Sequence, residues 1–212
     1  MKVIVSGFEP FGQLTKNPTM DLLYKLHNNE IPGIEVETVL LPVVFKQCAD
    51  KLLAKMAEIQ PDAVIALGLA KGRTEIQFER IAINSEDTGS EGERSDNAGD
   101  APVDRPIIPE GPDGIFSTLP IRTLQEKLRE EGIPASISNS AGTYICNTTM
   151  YWLMHEVKKK SHPPAAGFIH VPLTPEMTVQ TPGLPSMPME LQYQALETIL
   201  RSLQAMKEFD DL

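Results

Sequence analysis

Ala63-Val-Ile-Ala-Leu-Gly68 is the stretch on which the fold turns. Five apolar residues in a row stop at a glycine, with no polar face and too little length for a helix. Such a run reads as a strand buried on both sides, and strands of that kind belong to parallel sheets covered by helices. Lys2-Val-Ile-Val-Ser6, ending at Gly7, has the same character, and so does Ala166-Gly-Phe-Ile-His-Val171. The neighbouring segments have helical spacing instead. Residues 44–59 place Cys48, Leu52, Met56 and Ile59 on one face. Asn17-Pro18 opens another helix, with Asn suited to the N-cap and Pro to the first helical position.

Working outward, residues 34–41 and 135–138 read as strands and residues 76–83 as extended chain. Residues 118–130 and 190–206 read as helices, the second with a stripe of Leu191, Ala195, Ile199, Leu203 and Met206. Residues 84–114 are polar and rich in Gly, Pro and Asp, and a loop of that length inside a domain is usually functional or mobile. The prolines of residues 172–188 exclude a regular helix. Strands alternating with amphipathic helices predict an α/β fold, with helices on both faces of a largely parallel sheet. One domain spanning residues 1–212 is expected. In such folds sites gather at the carboxyl ends of strands. Gly7, Gly68, Cys146 and His170 all fall at or just beyond predicted strand ends.

Composition narrows the class. Of 212 residues, 41% are hydrophobic and 23% charged, which is ordinary for a globular protein. The net charge of −10 disfavours nucleic acid and anionic membrane surfaces as partners. No apolar run is long enough to span a bilayer, and Met1-Lys2 leads directly into a strand with no signal-peptide pattern. Cys48 and Cys146 are the two cysteines; neither belongs to a CxxC pair, so neither a disulfide framework nor a zinc site is supported. The expectation is a cytoplasmic protein with reduced thiols.

Cys146 is the thiol that needs explaining. In Ala141-Gly-Thr-Tyr-Ile-Cys146-Asn-Thr-Thr a glycine-containing turn feeds into a helix predicted over residues 147–160. That helix is apolar along Met150, Leu153, Met154 and Val157 and ends in three lysines, so its positive pole lies beside Cys146. A thiol there ionises more easily, and the thiolate is the nucleophile. Cys48, by contrast, lies on the apolar face of its helix and reads as a core residue.

A cysteine hydrolase also needs an imidazole and a group to orient it. His170 is the natural imidazole, because an apolar strand pushes it to a strand end; the plainer reading is a structural histidine. His27, His155 and His162 lie in polar surroundings. Glu79 stands in Phe78-Glu-Arg-Ile-Ala-Ile-Asn84, where an unpaired carboxylate is costly. Two readings of it stand side by side: the orienting acid, or a salt bridge to Arg73 or Arg80. Asn147-Thr-Thr matches a glycosylation sequon, which carries no weight without a secretory signal. Gly68-Leu-Ala-Lys-Gly-Arg73 has neither the Walker spacing nor the dinucleotide fingerprint, and there is no HExxH, calcium loop or GxSxG.

Four segments together resemble the pyroglutamyl peptidase I family of cysteine peptidases. Gly68 to Asn84 is similar to the family's glutamate motif, Gly142-Thr-Tyr-Ile-Cys146-Asn147 to its cysteine motif, and Gly167-Phe-Ile-His170-Val-Pro172 to its histidine segment. Gly7-Phe-Glu-Pro-Phe11-Gly with Asn17-Pro18 is similar to its N-terminus. The likeness covers nearly the whole chain in order. It implies Cys146 as nucleophile, His170 as general acid/base and Glu79 as orienting acid. It also implies a three-layer α/β/α sandwich with a largely parallel, mixed central sheet. Phe8, Phe11, Asn17 and Leu69 are implied at the substrate. Leu69 replaces the family's usual Gln and so can act only through its backbone. Gln77-Phe78 stands for the usual Thr-Pro, and Thr19 for the usual Ser. An arginine that the family uses near the oxyanion aligns loosely with Arg94.

The activity implied is removal of N-terminal pyroglutamate from peptides, with no cofactor, by a cytosolic homo-oligomer, typically a tetramer. Pyroglutamate is a neutral lactam without a free amine. Its pocket therefore needs flat apolar walls and one donor and one acceptor for the ring amide. Two other classes are compatible with the same residues: a different thiol-dependent amidase acting on small amides or lactams, and an inactive binding module that keeps the fold.

Overall fold

A computed structural model describes residues 1–12, 14–89, 95–181 and 183–210 of the chain. Its elements run in the order β1 (Lys2–Phe8), α1 (Pro18–Asn28), β2 (Glu35–Leu41), α2 (Gln47–Ile59), β3 (Ala63–Leu69), β4 (Ile76–Glu79) and β5 (Ile81–Ile83). There follow β6 (Gly114–Phe116), α3 (Ile121–Glu130), β7 (Ala135–Ser138), α4 (Ile145–Val157), β8 (Ala165–Val171), α5 (Pro175–Thr178) and α6 (Met189–Asp210).

Six strands form the central sheet in the order β2-β1-β3-β8-β4-β7. β2, β1, β3 and β8 are parallel; β4 runs antiparallel to β8 and parallel to β7. The sheet is thus largely parallel and mixed, as expected. Because successive strand residues face opposite ways, the apolar runs supply two cores at once. Val3, Val5, Ile65, Leu67, Phe78, Ile169 and Val171 face α1, α3 and α6. Ile4, Phe8, Val64, Ala66, Ala166 and Phe168 face α2 and α4. The result is a three-layer α/β/α arrangement.

Several boundaries differ from the sequence expectation, each for a local reason. The extended run over residues 76–83 breaks at Arg80: β4 stays in the main sheet, while β5 leaves it to pair with β6 in a separate ribbon. The helix expected from residue 44 starts at Gln47, because Lys46 has φ 60 and the Phe45 amide is taken by Asp96 Oδ2 at 2.9 Å. The helix expected from residue 118 starts after Pro120. One short helix, α5, interrupts the proline-rich segment, with Pro175 at its first turn where no N–H is missed. α4 begins at Ile145 rather than Asn147 and ends at Val157, so Cys146 lies inside its first turn. Among the described residues no helix is long and apolar enough to cross a membrane.

Candidate active site

Strand alternation decides which side chains meet. On β3, Gly68 shares a face with Val64 and Ala66; on β8, His170 shares one with Ala166 and Phe168. On β4, Ile76 and Phe78 belong to the opposite core, so Gln77 and Glu79 point to the same side as His170. That side is covered by α4, whose first turn carries Cys146. Three segments distant in sequence therefore converge at the carboxyl ends of β3 and β8.

Glu79 is 1% exposed and His170 8% exposed. Nδ1 of His170 lies 2.8 Å from Oε1 of Glu79. Arg80 turns the other way and donates from Nε to Oδ1 of Asn139 at 2.8 Å. The buried partner of Glu79 is thus the imidazole and not Arg80. Cys146 lies within hydrogen-bond reach of the same imidazole. Burial alone disfavours the imidazolium. Interactions with Cys146 and with Glu79 outweigh it, and His170 is pushed up to about 9. The arrangement is a connected chain of sulfur, imidazole and carboxylate.

The local sequence explains how the thiol is presented. Gly142 has φ +80, a left-handed turn that glycine accepts without cost. Tyr144 is the extended N-cap residue, and the Thr148 amide donates to its carbonyl at 3.1 Å as the helix begins. Cys146 is consequently among the first residues of the helix, whose initial amides have no intrahelical acceptor. Those amides and the helix dipole favour negative charge at that end.

Residues that the sequence reading did not single out hold this geometry. Asn147 is fully buried; its side chain accepts from the Ile83 amide at 2.9 Å and donates to the carbonyls of Ile83 and Ser85. The sequon asparagine thus fastens β5 to α4. Glu86, also buried, accepts from Oγ1 of Thr148 at 3.0 Å and from Nε of Arg105 at 2.8 Å. Asp96 accepts from the amides of Phe45, Ala98 and Asp100. Asn97 donates to the Pro10 carbonyl at 3.2 Å, and the Tyr144 hydroxyl donates to the Ser95 carbonyl at 3.1 Å. The described part of the polar 84–114 segment therefore ties the Cys146 helix to the loop after β1. The only signal for this in the sequence was the unusual length of the loop. Arg94 lies outside the described residues.

The other expected residues fall as follows. Phe8 is 3% exposed and packs on Phe168, their ring centroids 6.4 Å apart, while Phe11 is half-buried at the loop. Asn17 is the N-cap of α1: its Oδ1 accepts from the amide and hydroxyl of Thr19, and its Nδ2 donates to the Glu9 carbonyl. Its amide is therefore engaged in shaping the Phe8–Phe11 loop. Leu69 alternates to the face away from Cys146, so only its backbone is available on the site side. Cys48 is fully buried, with its thiol pushed up to about 12 by burial. Among the described residues no group of three or more His, Cys, Asp or Glu side chains could hold a metal ion. A cavity of about 790 Å³ lies at the other end of β1 and β2, lined by Met1, His27, Ile31, Gly33 and Asp62, far from this chemistry.

The profile of a family described as pyroglutamyl peptidase matches residues 1–205. Among similar proteins, pyrrolidone-carboxylate peptidase 1 of Caldanaerobacter subterraneus subsp. tengcongensis is 40% identical over 95% of this chain and 97% of its own. Pyrrolidone-carboxylate peptidase of Pectobacterium atrosepticum is 41% identical over 95% of this chain and 92% of its own. Among solved structures, pyrrolidone carboxyl peptidase from Thermococcus litoralis superposes with a TM-score of 0.92 at 39% identity, covering 99% of this chain and 96% of that one. Pyroglutamyl peptidase I of Bacillus amyloliquefaciens gives 0.87 at 36% identity, covering 94% of each. With the likeness running through both sequence and backbone over nearly its whole length, this chain belongs to the pyroglutamyl peptidase family.

Proposed function

We propose that the chain is a cysteine exopeptidase that removes N-terminal pyroglutamate from peptides through a thioacyl-enzyme intermediate. The observation that carries this reading is the 2.8 Å contact from Glu79 to an imidazole that also interacts with Cys146, in a chain of this family. Cys146 Sγ attacks the carbonyl carbon of the pyroglutamyl residue. The developing oxyanion is met by amides of the first turn of α4, the Cys146 amide among them. As the C–N bond breaks, His170 gives its proton to the departing amine. His170 then takes a proton from water, which attacks the thioester, and pyroglutamate leaves with Cys146 restored. Glu79 fixes the ring orientation and the tautomer.

Phe8 and Phe11 provide apolar walls for the lactam ring. Asn17 contributes by holding their loop, and backbone groups around Leu69 supply the polar contacts to the ring amide. We read the 212 residues as one catalytic domain, acting in the cytoplasm as a homo-oligomer, with a tetramer as the expected state. Exposed apolar side chains such as Tyr24, Phe116 and Val179 favour association. The test is release of a fluorophore from a pyroglutamyl amide, beside prolyl and free-amine alanyl amides. Turnover of the pyroglutamyl compound alone is expected. Turnover of the prolyl or free-amine compounds at comparable rates would assign the thiol to a broader amidase.

A further inference from the structure

We propose that Gly68 is a positioning residue for the Cys146–His170 pair: by carrying no side chain, it gives the sulfur its seat over the end of β3. The inference rests on those two residues being the reacting pair.

Gly68 lies in regular strand, and its φ is not in the left-handed range where glycine is required by the backbone. The residue must be small for reasons of space. A side-chain carbon built there would stand 2.7 Å from Cε1 and Cζ of Phe168 and 3.0 Å from Sγ of Cys146. Ordinary contacts between such atoms are about 3.5–4.0 Å, so the sulfur would have to give by a few tenths of an ångström. The strand register sets His170 directly beside Gly68. The Phe168 ring, itself fully buried, packs with its centroid 5.0 Å from that of the imidazole. Ring, imidazole and sulfur thus surround one bare α-carbon. A sulfur pushed off this seat loses its alignment with the imidazole. Misplacement of a reacting atom by about 1 Å can cost on the order of a hundredfold.

The experiment introduces Gly68→Ala into the wild type and into a Phe168→Leu background, where the ring contact is relieved and the sulfur contact remains. Three quantities are read: kcat and KM on a pyroglutamyl amide, the rate of Cys146 alkylation by iodoacetamide at pH 8, and the pH at which the His170 ring protons titrate by NMR. Melting temperature checks the fold, and two backgrounds are used so that failure of one to fold leaves the other to decide. The seat requires kcat to fall roughly tenfold or more in both backgrounds with KM within about threefold. It also requires slower alkylation and a lower His170 titration point, since the imidazolium loses its thiolate partner. Loss below twofold in the Phe168→Leu background, with alkylation and titration unchanged, would overturn it and leave only ring packing as the reason for glycine. A wild type that ignores pyroglutamyl amides would refute the proposed function, while the alkylation and titration results would still decide the role of Gly68.

Discussion

Cys48 and Cys146 lie on neighbouring helices of the same layer, yet their surroundings make them chemically opposite. Cys48, like Cys146 the second residue of its helix, is fully buried among Leu52, Met56 and the α4 side chains. Its nearest polar neighbour is the Thr149 hydroxyl at 3.2 Å, and burial pushes its thiol up to about 12. Cys146 is in a first helical turn, half-buried, beside an imidazole held by a carboxylate. Since both open a helix, the difference lies in burial and in what the fold places opposite: a packed apolar interface for Cys48, the imidazole for Cys146. Thiol chemistry here is a property of surroundings, with one cysteine a core filler and the other the proposed nucleophile.

The contrast is broken most severely by removing the reactive thiol. Cys146→Ser is expected to lower kcat/KM on a pyroglutamyl amide by at least about 10⁴-fold with the fold intact by circular dichroism. Glu79→Gln, which keeps shape but offers the imidazole a neutral amide, is expected to cost roughly 10³-fold, mainly in kcat. Native alkylation sharpens the comparison without any substrate. At pH 8 a thiol titrating near 12 is ionised to only about one part in ten thousand, so peptide mapping after brief iodoacetamide treatment should find Cys146 labelled over about a hundredfold faster. Equal labelling of the two cysteines would remove the contrast.

The pH profile tests the imidazole. His170 is raised above its ordinary value, so the imidazolium, the proposed proton donor to the leaving amine, persists through neutral pH and disappears as pH rises through about 9. kcat/KM should accordingly fall about tenfold per unit on the alkaline side of that value. The same sign governs stability: what the raised His170 contributes is complete below about 6.5 and is lost as pH passes 9. The smallest effect is expected at the other thiol. Cys48→Ala should destabilise by about 1 kcal/mol through the lost packing, measured by denaturant titration, and leave kcat within twofold.

Much of the fold could be read from the chain because its signals are local. The apolar runs at Lys2, Ala63 and Ala166, the Asn17-Pro18 cap and the spacing of Leu191 to Met206 each report a strand or helix through periodicity alone. The errors fall where a distant partner intervenes. Asp96 claims the Phe45 amide and α2 starts late; β6 recruits β5 and the run over residues 76–83 divides. The site shows the same division. Cys146, His170 and Glu79 stood out as polar or reactive residues in apolar or turn settings, and the family resemblance joined them. Glu86 and Asp96 receive no part in the site from the sequence, and Gly68 and Asn147 figure there only as a strand end and a motif position, since nothing in their immediate neighbours says what they touch.

The sequence by itself determined a covered, largely parallel sheet, a thiol at the start of a helix and an imidazole at the end of a strand, because each follows from the order of residues over one or two turns. Only the tertiary structure decided that Glu79 faces His170 instead of Arg80, that Leu69 turns its side chain from the site, and that Gly68 makes room for the sulfur. Those outcomes depend on strand register and sheet order, which set Gly68 beside His170 and bring Glu79 to a ring 91 positions away. A shift of one residue in that pairing would send every one of these side chains to the other face.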